Sequence, residues 1–152
     1  MATISLILGA SGATGGATAR LLAATGQRVH LAGRDRTVLD ALATEIGAAS
    51  VHEVDARDIA AVKTLVDTVV DAEGRLDAVA NLVGTLLLKP AHLTTADEWE
   101  ETIAANLTSA FAVVRAAAPH MREHGGSIVL ASSAAAQTGV ANHEAIAAAK
   151  GG

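Results

Sequence analysis

The chain has 152 residues, the size of one domain, and a formal net charge of −5 at pH 7. Its basic residues are scattered and only 1% of its residues are aromatic, which argues against a nucleic-acid-binding protein. The absence of cysteine excludes disulfides and thiolate catalysis, and no apolar run approaches the length of a membrane span. No signal peptide is recognisable at the N-terminus. We therefore expect a single domain over residues 1–152, cytoplasmic and not membrane-bound.

The first predicted elements are a strand over Thr3–Leu8, a glycine-rich turn and a helix over Gly15–Thr25. Unpaired N–H groups and the helix dipole favour an anion at a helix start, and glycines let a pyrophosphate approach the backbone. The spacing is G-x-x-G-x-x-G, not the G-x-G-x-x-G of the dinucleotide motif. The alternative is a glycine-rich turn without a ligand. The predicted phosphate site consists of Gly9, Ser11, Gly12, Ala13, Thr14 and Gly15.

The rest of the chain alternates between predicted strands and helices. The strands are Arg28–Ala32, Ser50–Val54, Leu76–Val83 and Ser127–Ala131. The helices run from Asp35 to Ile46, Asp58 to Gly74, Thr95 or Asp97 to Glu123, and His143 to Lys150. The fourth strand is an almost continuous apolar run, which predicts burial on both faces. Alternation of this kind predicts parallel βαβ units. The predicted fold is α/β, a Rossmann-like doubly wound parallel sheet with strand order 3-2-1-4-5.

Arg34 follows the second strand, where dinucleotide-binding folds carry an acid that hydrogen-bonds the adenosine ribose. A planar guanidinium suits a 2′-phosphate, so Arg34 favours NADP as cofactor, with NAD possible. The alternative is a solvated arginine that pairs with Asp35 or Asp40. Asp35 itself is predicted to cap the following helix.

These motifs together resemble the N-terminal part of a short-chain dehydrogenase/reductase, and the resemblance covers all 152 residues. The motifs that carry it, in chain order, are the glycine turn, Asp55 after the third strand, Asn81-Leu82-Val83-Gly84 after the fourth, Asn106-Leu107-Thr108-Ser109-Ala110-Phe111 in the long helix and Ser132-Ser133 after the fifth strand. The resemblance implies hydride transfer between a nicotinamide cofactor and a small carbonyl or alcohol substrate.

The resemblance also implies a role for each matching position. By analogy with the family, Asp55 and Ala56 contact the adenine, Asn81 and Gly84 line the cofactor, Asn106 helps hold a proton-relay water, Ser133 orients the substrate carbonyl, and Lys150 binds the nicotinamide ribose. The family's Asn-Asn-Ala-Gly stretch is matched only at its first and last residues, because Leu82 and Val83 stand between them.

The family's tyrosine acid–base is absent, since Ile146 occupies its place and the chain contains no tyrosine. Isoleucine cannot transfer a proton. His143 is a speculative substitute, because helical spacing puts it on one face with Lys150, and the alternative is a surface or capping histidine. The rival to an active oxidoreductase is a nucleotide-binding pseudoenzyme or fragment without redox turnover.

Family members continue beyond the position of Gly152, so we expect a domain that is truncated at its C-terminus, with the fifth strand as an open sheet edge. Trp99 and Phe111 are interpreted as core or interface anchors. A homo-oligomer is expected through the long helix around Trp99–Val114. His120 and His124 have i, i+4 spacing but no evident third ligand, so no metal site is predicted.

Overall fold

The structure is a computed structural model that describes residues 2–152. Its centre is a five-stranded, entirely parallel sheet in the order β3-β2-β1-β4-β5, which confirms the predicted topology. The strands are β1 (Ile4–Leu8), β2 (Arg28–Gly33), β3 (Ser50–Glu53), β4 (Ala78–Asn81) and β5 (Ser127–Leu130). The helices are α1 (Ala13–Ala24), α2 (Arg36–Ile46), α3 (Ile59–Glu73), α4 (Ala96–Ile103), α5 (Ser109–Met121) and α6 (Glu144–Gly151). Within residues 2–152, no helix is long and apolar enough to cross a membrane.

Helices cover both faces of the sheet because successive residues of a strand point to opposite sides. Leu6 and Leu8 of β1 join a core formed with α3 and α5. Ile7, between them, joins a second core with residues of β2, α1 and α2. Burial on both faces explains why β1 and β2 consist mainly of apolar residues, as is usual in parallel sheets, with Ser5 and His30 as buried polar exceptions.

Side-chain caps fix the starts of three helices. Asp35 accepts a hydrogen bond from the Val38 N–H at 3.0 Å, as predicted, and Asp58 caps α3. Thr95 and Glu98 form a capping box at the start of α4. Because all five strands run parallel, their carboxyl ends, and the loops that follow them, lie on one side of the sheet.

Two predicted boundaries are wrong for local reasons. The first helix begins at Ala13, before the predicted Gly15, because Gly12 is the extended N-cap residue with φ −83° and ψ 164°. The fourth strand covers only Ala78–Asn81, and its residues alternate between half-buried and buried. It ends there because the Asn81 side chain accepts the Val83 N–H at 3.2 Å, which takes that group out of the sheet ladder.

The predicted helix from Thr95 to Glu123 is interrupted by a π-helical turn over Ala104–Thr108. Side chains in and after this turn bond to carbonyls one turn back: Asn106 donates to the Thr102 oxygen at 2.9 Å, and Ser109 to the Ala105 oxygen at 2.7 Å. Such bonds compete with regular helical pairing. Single π turns in helices often lie at functional sites, and this one carries Asn106.

Large apolar side chains remain exposed on the α4–α5 side and on β5. Trp99 is 44% and Phe111 is 51% exposed, so the interpretation of these two residues as core is wrong. Val129 and Leu130 of β5 are also exposed, and β5 forms an open edge of the sheet as expected.

Two histidines, His30 buried and His52 half-buried, link β2 to the edge strand β3. His30 of β2 is 2% exposed, and its Nδ1 lies 2.7 Å from the Ser50 hydroxyl, which in turn lies 2.6 Å from His52 Nε2. His30 Nε2 lies 3.3 Å from a Glu73 oxygen but has no hydrogen-bond partner of good geometry. Burial lowers the pKa of both histidines; for His30, Glu73 opposes this effect, while His52 and Arg28 reinforce it.

We expect the protein to lose stability as the pH falls below 6.5, the ordinary histidine pKa. The unfolded chain then binds protons that the folded state excludes, so acid favours unfolding. Urea unfolding at about pH 7.5 and about pH 5.5 measures this, with a lower midpoint at the acidic pH. His52→Gln should reduce the pH dependence, whereas His92→Gln, at an exposed position, should leave it unchanged. If the urea midpoint fell by the same amount between the two pH values in wild type and in His52→Gln, His52 would not contribute to the loss of stability.

Candidate active site

The glycine turn after β1 is shaped by two glycines that have no room for a side chain. Gly9 has φ +80°, and a Cβ on it would lie 2.8 Å from the Leu82 carbonyl carbon. A Cβ on Gly15 would lie 2.1 Å from the Gly9 oxygen. The same oxygen accepts the Gly12 N–H at 3.0 Å. The turn is therefore packed tightly against the end of β4 and the start of α1.

The first turn of α1 has neither a side-chain cap nor an acidic residue. Its N-cap is Gly12, which has no side chain to bond the first-turn N–H groups, and no acidic residue lies in that turn. The first intrahelical bond runs from the Gly16 N–H to the Gly12 oxygen at 2.8 Å. The N–H groups of Ala13, Thr14 and Gly15 thus lie at the positive end of the helix, before its hydrogen-bond ladder begins.

A cleft of about 160 Å³ lies beside this turn, at the carboxyl ends of β1, β2, β3 and β4. It contains the predicted residues Gly9, Ser11, Gly12, Arg34, Asp55, Ala56 and Gly84. The cleft lining does not include Ala13, Thr14, Gly15, Asn81 or Lys150. Residues that sequence reasoning missed complete the lining: Gly33, Val54, Arg57, Leu82, Val83, Thr85, Glu101 and Ala105.

Arg34 lies exposed at the edge of the cleft, directly after β2. Neither predicted alternative partner pairs with it: Asp35 caps α2, and Asp40 pairs with Arg36 at 2.8 Å. Within residues 2–152, Arg34 forms no ion pair within 4.0 Å. Its guanidinium is therefore available to an anionic ligand.

Asp55 follows β3, and Arg57 donates hydrogen bonds to both of its carboxylate oxygens. Oδ1 accepts the Arg57 backbone N–H and Nε–H, each at 3.0 Å, and Oδ2 accepts Nε–H at 3.0 Å and Nη2–H at 2.5 Å. These hydrogen bonds hold the pKa of Asp55 below its usual value, against the opposing effect of partial burial. A carboxylate has about four acceptor sites, so a ligand amino group would compete with Arg57 for Asp55.

At the other end of the cleft, groups from three elements converge on Gly84. Asn106, 5% exposed, accepts the Thr85 N–H at 3.2 Å through Oδ1. A Cβ on Gly84 would lie 2.8 Å from this Oδ1 and 3.5 Å from Lys150 Nζ. Gly84 therefore lets the Asn106 amide and the Lys150 ammonium approach the same point of the backbone.

Lys150 reaches this point from α6. Its Nζ donates to the Ala131 carbonyl at 2.8 Å, and its own carbonyl accepts the Ser132 hydroxyl at 2.9 Å. Burial lowers the pKa of Lys150. Lys150 and Asn106 also line a second cavity, of about 470 Å³, between α5, β5 and α6.

The remaining predicted catalytic residues lie outside both cavities. Ser133 caps a short 3-10 turn, where its oxygen accepts the Ala135 N–H at 3.2 Å. His143 is the N-cap residue of α6, and its Nδ1 lies 2.8 Å from the Ala141 oxygen. Ile146 is 4% exposed, inside the protein. Asn106 and Lys150 therefore lie close together at Gly84, and Ser133 and His143 line neither cavity.

The parallel sheet, the helices on both faces and the glycine turn after β1 define a Rossmann-type α/β protein. Residues 9–152 match the family model described as enoyl-(acyl carrier protein) reductase. A short-chain dehydrogenase from Streptomyces avermitilis superimposes on 99% of the chain with a TM-score of 0.93 and 27% identity. The chain belongs to the short-chain dehydrogenase/reductase family.

Curated relatives are similar over most of this chain. D-threitol dehydrogenase of Mycolicibacterium smegmatis is 32% identical over 98% of the chain and 59% of its own length. Trans-4-hydroxycyclohexanecarboxylate dehydrogenase of Sinomonas cyclohexanicum is 34% identical over 98% of the chain and 61% of its own length. A tropinone reductase homolog of Arabidopsis thaliana is 37% identical over 85% of the chain and 50% of its own length. The chain therefore spans about half to three fifths of the length of these relatives.

Proposed function

We propose that the chain binds a nicotinamide dinucleotide, NADP in preference to NAD, and acts as an oxidoreductase on a small carbonyl or alcohol substrate. The observation that carries the proposal is the glycine turn. Gly9 and Gly15 exclude any side chain there, and the uncapped start of α1 lies beside the cleft. A pyrophosphate fits such a cradle because it bonds to backbone N–H groups at the positive end of a helix.

The other residues of the cleft fit the rest of such a dinucleotide. Arg34, without a carboxylate partner, would hold a 2′-phosphate. Asp55 and Ala56 lie at the end that would hold the adenine. Gly84 and Asn81 would line the nicotinamide end, where Lys150, close to Gly84, would reach the second ribose.

When bound, the nicotinamide would supply or accept the hydride. The chain's own part is to organise the proton path. Asn106 is fixed by Thr85 and Thr102, and Lys150 is held beside it by the Ala131 carbonyl. Ser133, at the entrance to its 3-10 turn, would hold the substrate carbonyl in this proposal.

The second candidate function is nucleotide binding without redox turnover. The buried Ile146 favours it, because this side chain supplies no proton where the family has its tyrosine. We leave His143 out of the proton path in this proposal, because its ring lies by the Ala141 oxygen and lines neither cavity.

The proposal includes self-association in the cytoplasm. Its support is the exposure of three large apolar side chains on α4 and α5, those of Trp99, Phe111 and Val114. Exposed apolar patches on a small domain are typical of contact surfaces.

Carbonyl-dependent oxidation of NADPH tests the enzymatic part. We expect oxidation with members of a panel of aldehydes and ketones, a loss of about 100-fold in Lys150→Ala, and no change in His143→Ala. Lys63→Ala, an exposed lysine on α3, is the matched control. Saturable NADPH binding with no oxidation across the panel would support the second candidate function and contradict the first.

A further inference from the structure

Arg57 joins two carboxylates that belong to separate parts of the fold. Its Nε and Nη2 bind Asp55, after β3, and its Nη1 donates to Glu101 Oε2 at 2.5 Å. All three residues line the cleft. A guanidinium is suited to this geometry because its donors lie in one plane and can bond to two acids at once.

Glu101 lies in the last turn of α4, next to the residues that place Asn106. The following residue, Thr102, provides the carbonyl that accepts the Asn106 Nδ2–H at 2.9 Å. The π turn starts at Ala104, and Ala105 lines the cleft. Glu101 therefore precedes Asn106 by five residues in the same helical segment, between one and two turns away.

The opposite side of the same helical segment is tied to the loop after β4. Asn106 accepts the Thr85 N–H and donates to the Thr85 hydroxyl, both at 3.2 Å. The cleft is thus bounded by α4 and the π turn, which are attached at the adenine end through Arg57 and at the nicotinamide end through Thr85.

We propose that Arg57 and Glu101 form a positioning bridge that holds α4, and with it Asn106, at the distance from β3 that nucleotide binding requires. The inference rests on the proposed function. Neither residue is catalytic; both act by fixing the width of the cleft.

The sign of the change in nucleotide affinity when the Glu101 carboxylate is removed distinguishes a positioning role from a purely electrostatic one. If Glu101 acted only through its charge, removing a carboxylate beside a polyanionic nucleotide would tighten binding. If Glu101 acts through Arg57 on the position of α4, removing the carboxylate loosens the cleft wall and weakens binding. Arg57 and Glu101 are both partly exposed, so we expect a severalfold effect.

Titration with NADPH, followed by fluorescence, of Glu101→Gln, Arg57→Gln and the double variant tests the bridge. We expect Glu101→Gln to weaken NADPH binding about three- to tenfold. In the Arg57→Gln background the same change should cause no further weakening, because the bridge is already lost and only the effect of the charge remains. Arg20 and Glu45 form a matched control pair between α1 and α2, away from the cleft, at 2.6 Å. Glu45→Gln should leave NADPH affinity unchanged.

Tighter or unchanged NADPH binding in Glu101→Gln would overturn the bridge, as would an equal effect in both backgrounds. Hydrogen exchange of the nucleotide-free protein gives a second readout that does not require binding. The Thr85 and Asn106 amides should exchange faster in Glu101→Gln than in Glu45→Gln. If wild type fails to bind NADPH, the proposed function fails, and this exchange comparison alone supports or overturns the positional role of the bridge.

Discussion

Gly9→Ala is expected to abolish NADPH binding and to lower the free energy of unfolding by roughly 2–4 kcal/mol. Two costs combine at this position. An alanine at φ +80° is strained, and its Cβ would lie 2.8 Å from the Leu82 carbonyl carbon, in the backbone that follows β4. Relief of this contact moves the turn away from β4 and disturbs the start of α1. Urea unfolding and NADPH titration of the same preparation measure both effects.

Gly26→Ala is the matched control, because Gly26 has φ +79° and no atom within 4 Å of an added Cβ. Gly26→Ala therefore has the backbone strain of a positive φ but lacks the steric contact that Gly9→Ala makes. We expect it to cost about 1–2 kcal/mol of stability and to retain NADPH affinity. Retained NADPH affinity in Gly9→Ala would show that the turn does not form the phosphate site.

Arg34→Ala is expected to weaken NADPH binding by about 10- to 100-fold and to change NADH binding by less than about twofold. Only NADPH carries the 2′-phosphate, and only that group would use the free guanidinium. Competitive titration with the two nucleotides measures the ratio of dissociation constants.

The neighbouring Arg36 provides the control for this substitution. It lies two residues further along, pairs with Asp40 at 2.8 Å and does not line the cleft. Arg36→Ala should therefore leave the preference for NADPH intact. Equal losses of NADPH and NADH affinity in Arg34→Ala would contradict the assignment of Arg34 to the 2′-phosphate.

Features set by local sequence could be predicted well. The strand order follows from the regular alternation of strands and helices. Asp35 was identifiable as an N-cap because aspartate is a preferred N-cap residue and precedes an amphipathic segment. The glycine turn and Arg34 follow predicted strands directly, so the topology alone brings them to one cleft.

Features set by contacts between side chains far apart in the sequence could not be predicted. Arg57 and Glu101 are 44 positions apart, and no local pattern shows that α4 returns to the loop after β3. The π turn depends on where Asn106 and Ser109 find acceptors, which a periodic apolar pattern does not reveal. Helical spacing predicted His143 on one face with Lys150, but α6 begins at Glu144, and His143 precedes it with its ring by the Ala141 oxygen.

The proposed function requires that the cleft beside the glycine turn bind a nicotinamide dinucleotide with a preference for the 2′-phosphate. Calorimetric titration of the wild-type chain with NADPH and with NADH tests it most directly. We expect saturable binding of one NADPH per chain, tighter than that of NADH, and its loss in Gly9→Ala. Absence of saturable NADPH binding by a folded chain, or binding that survives in Gly9→Ala, would contradict the claim.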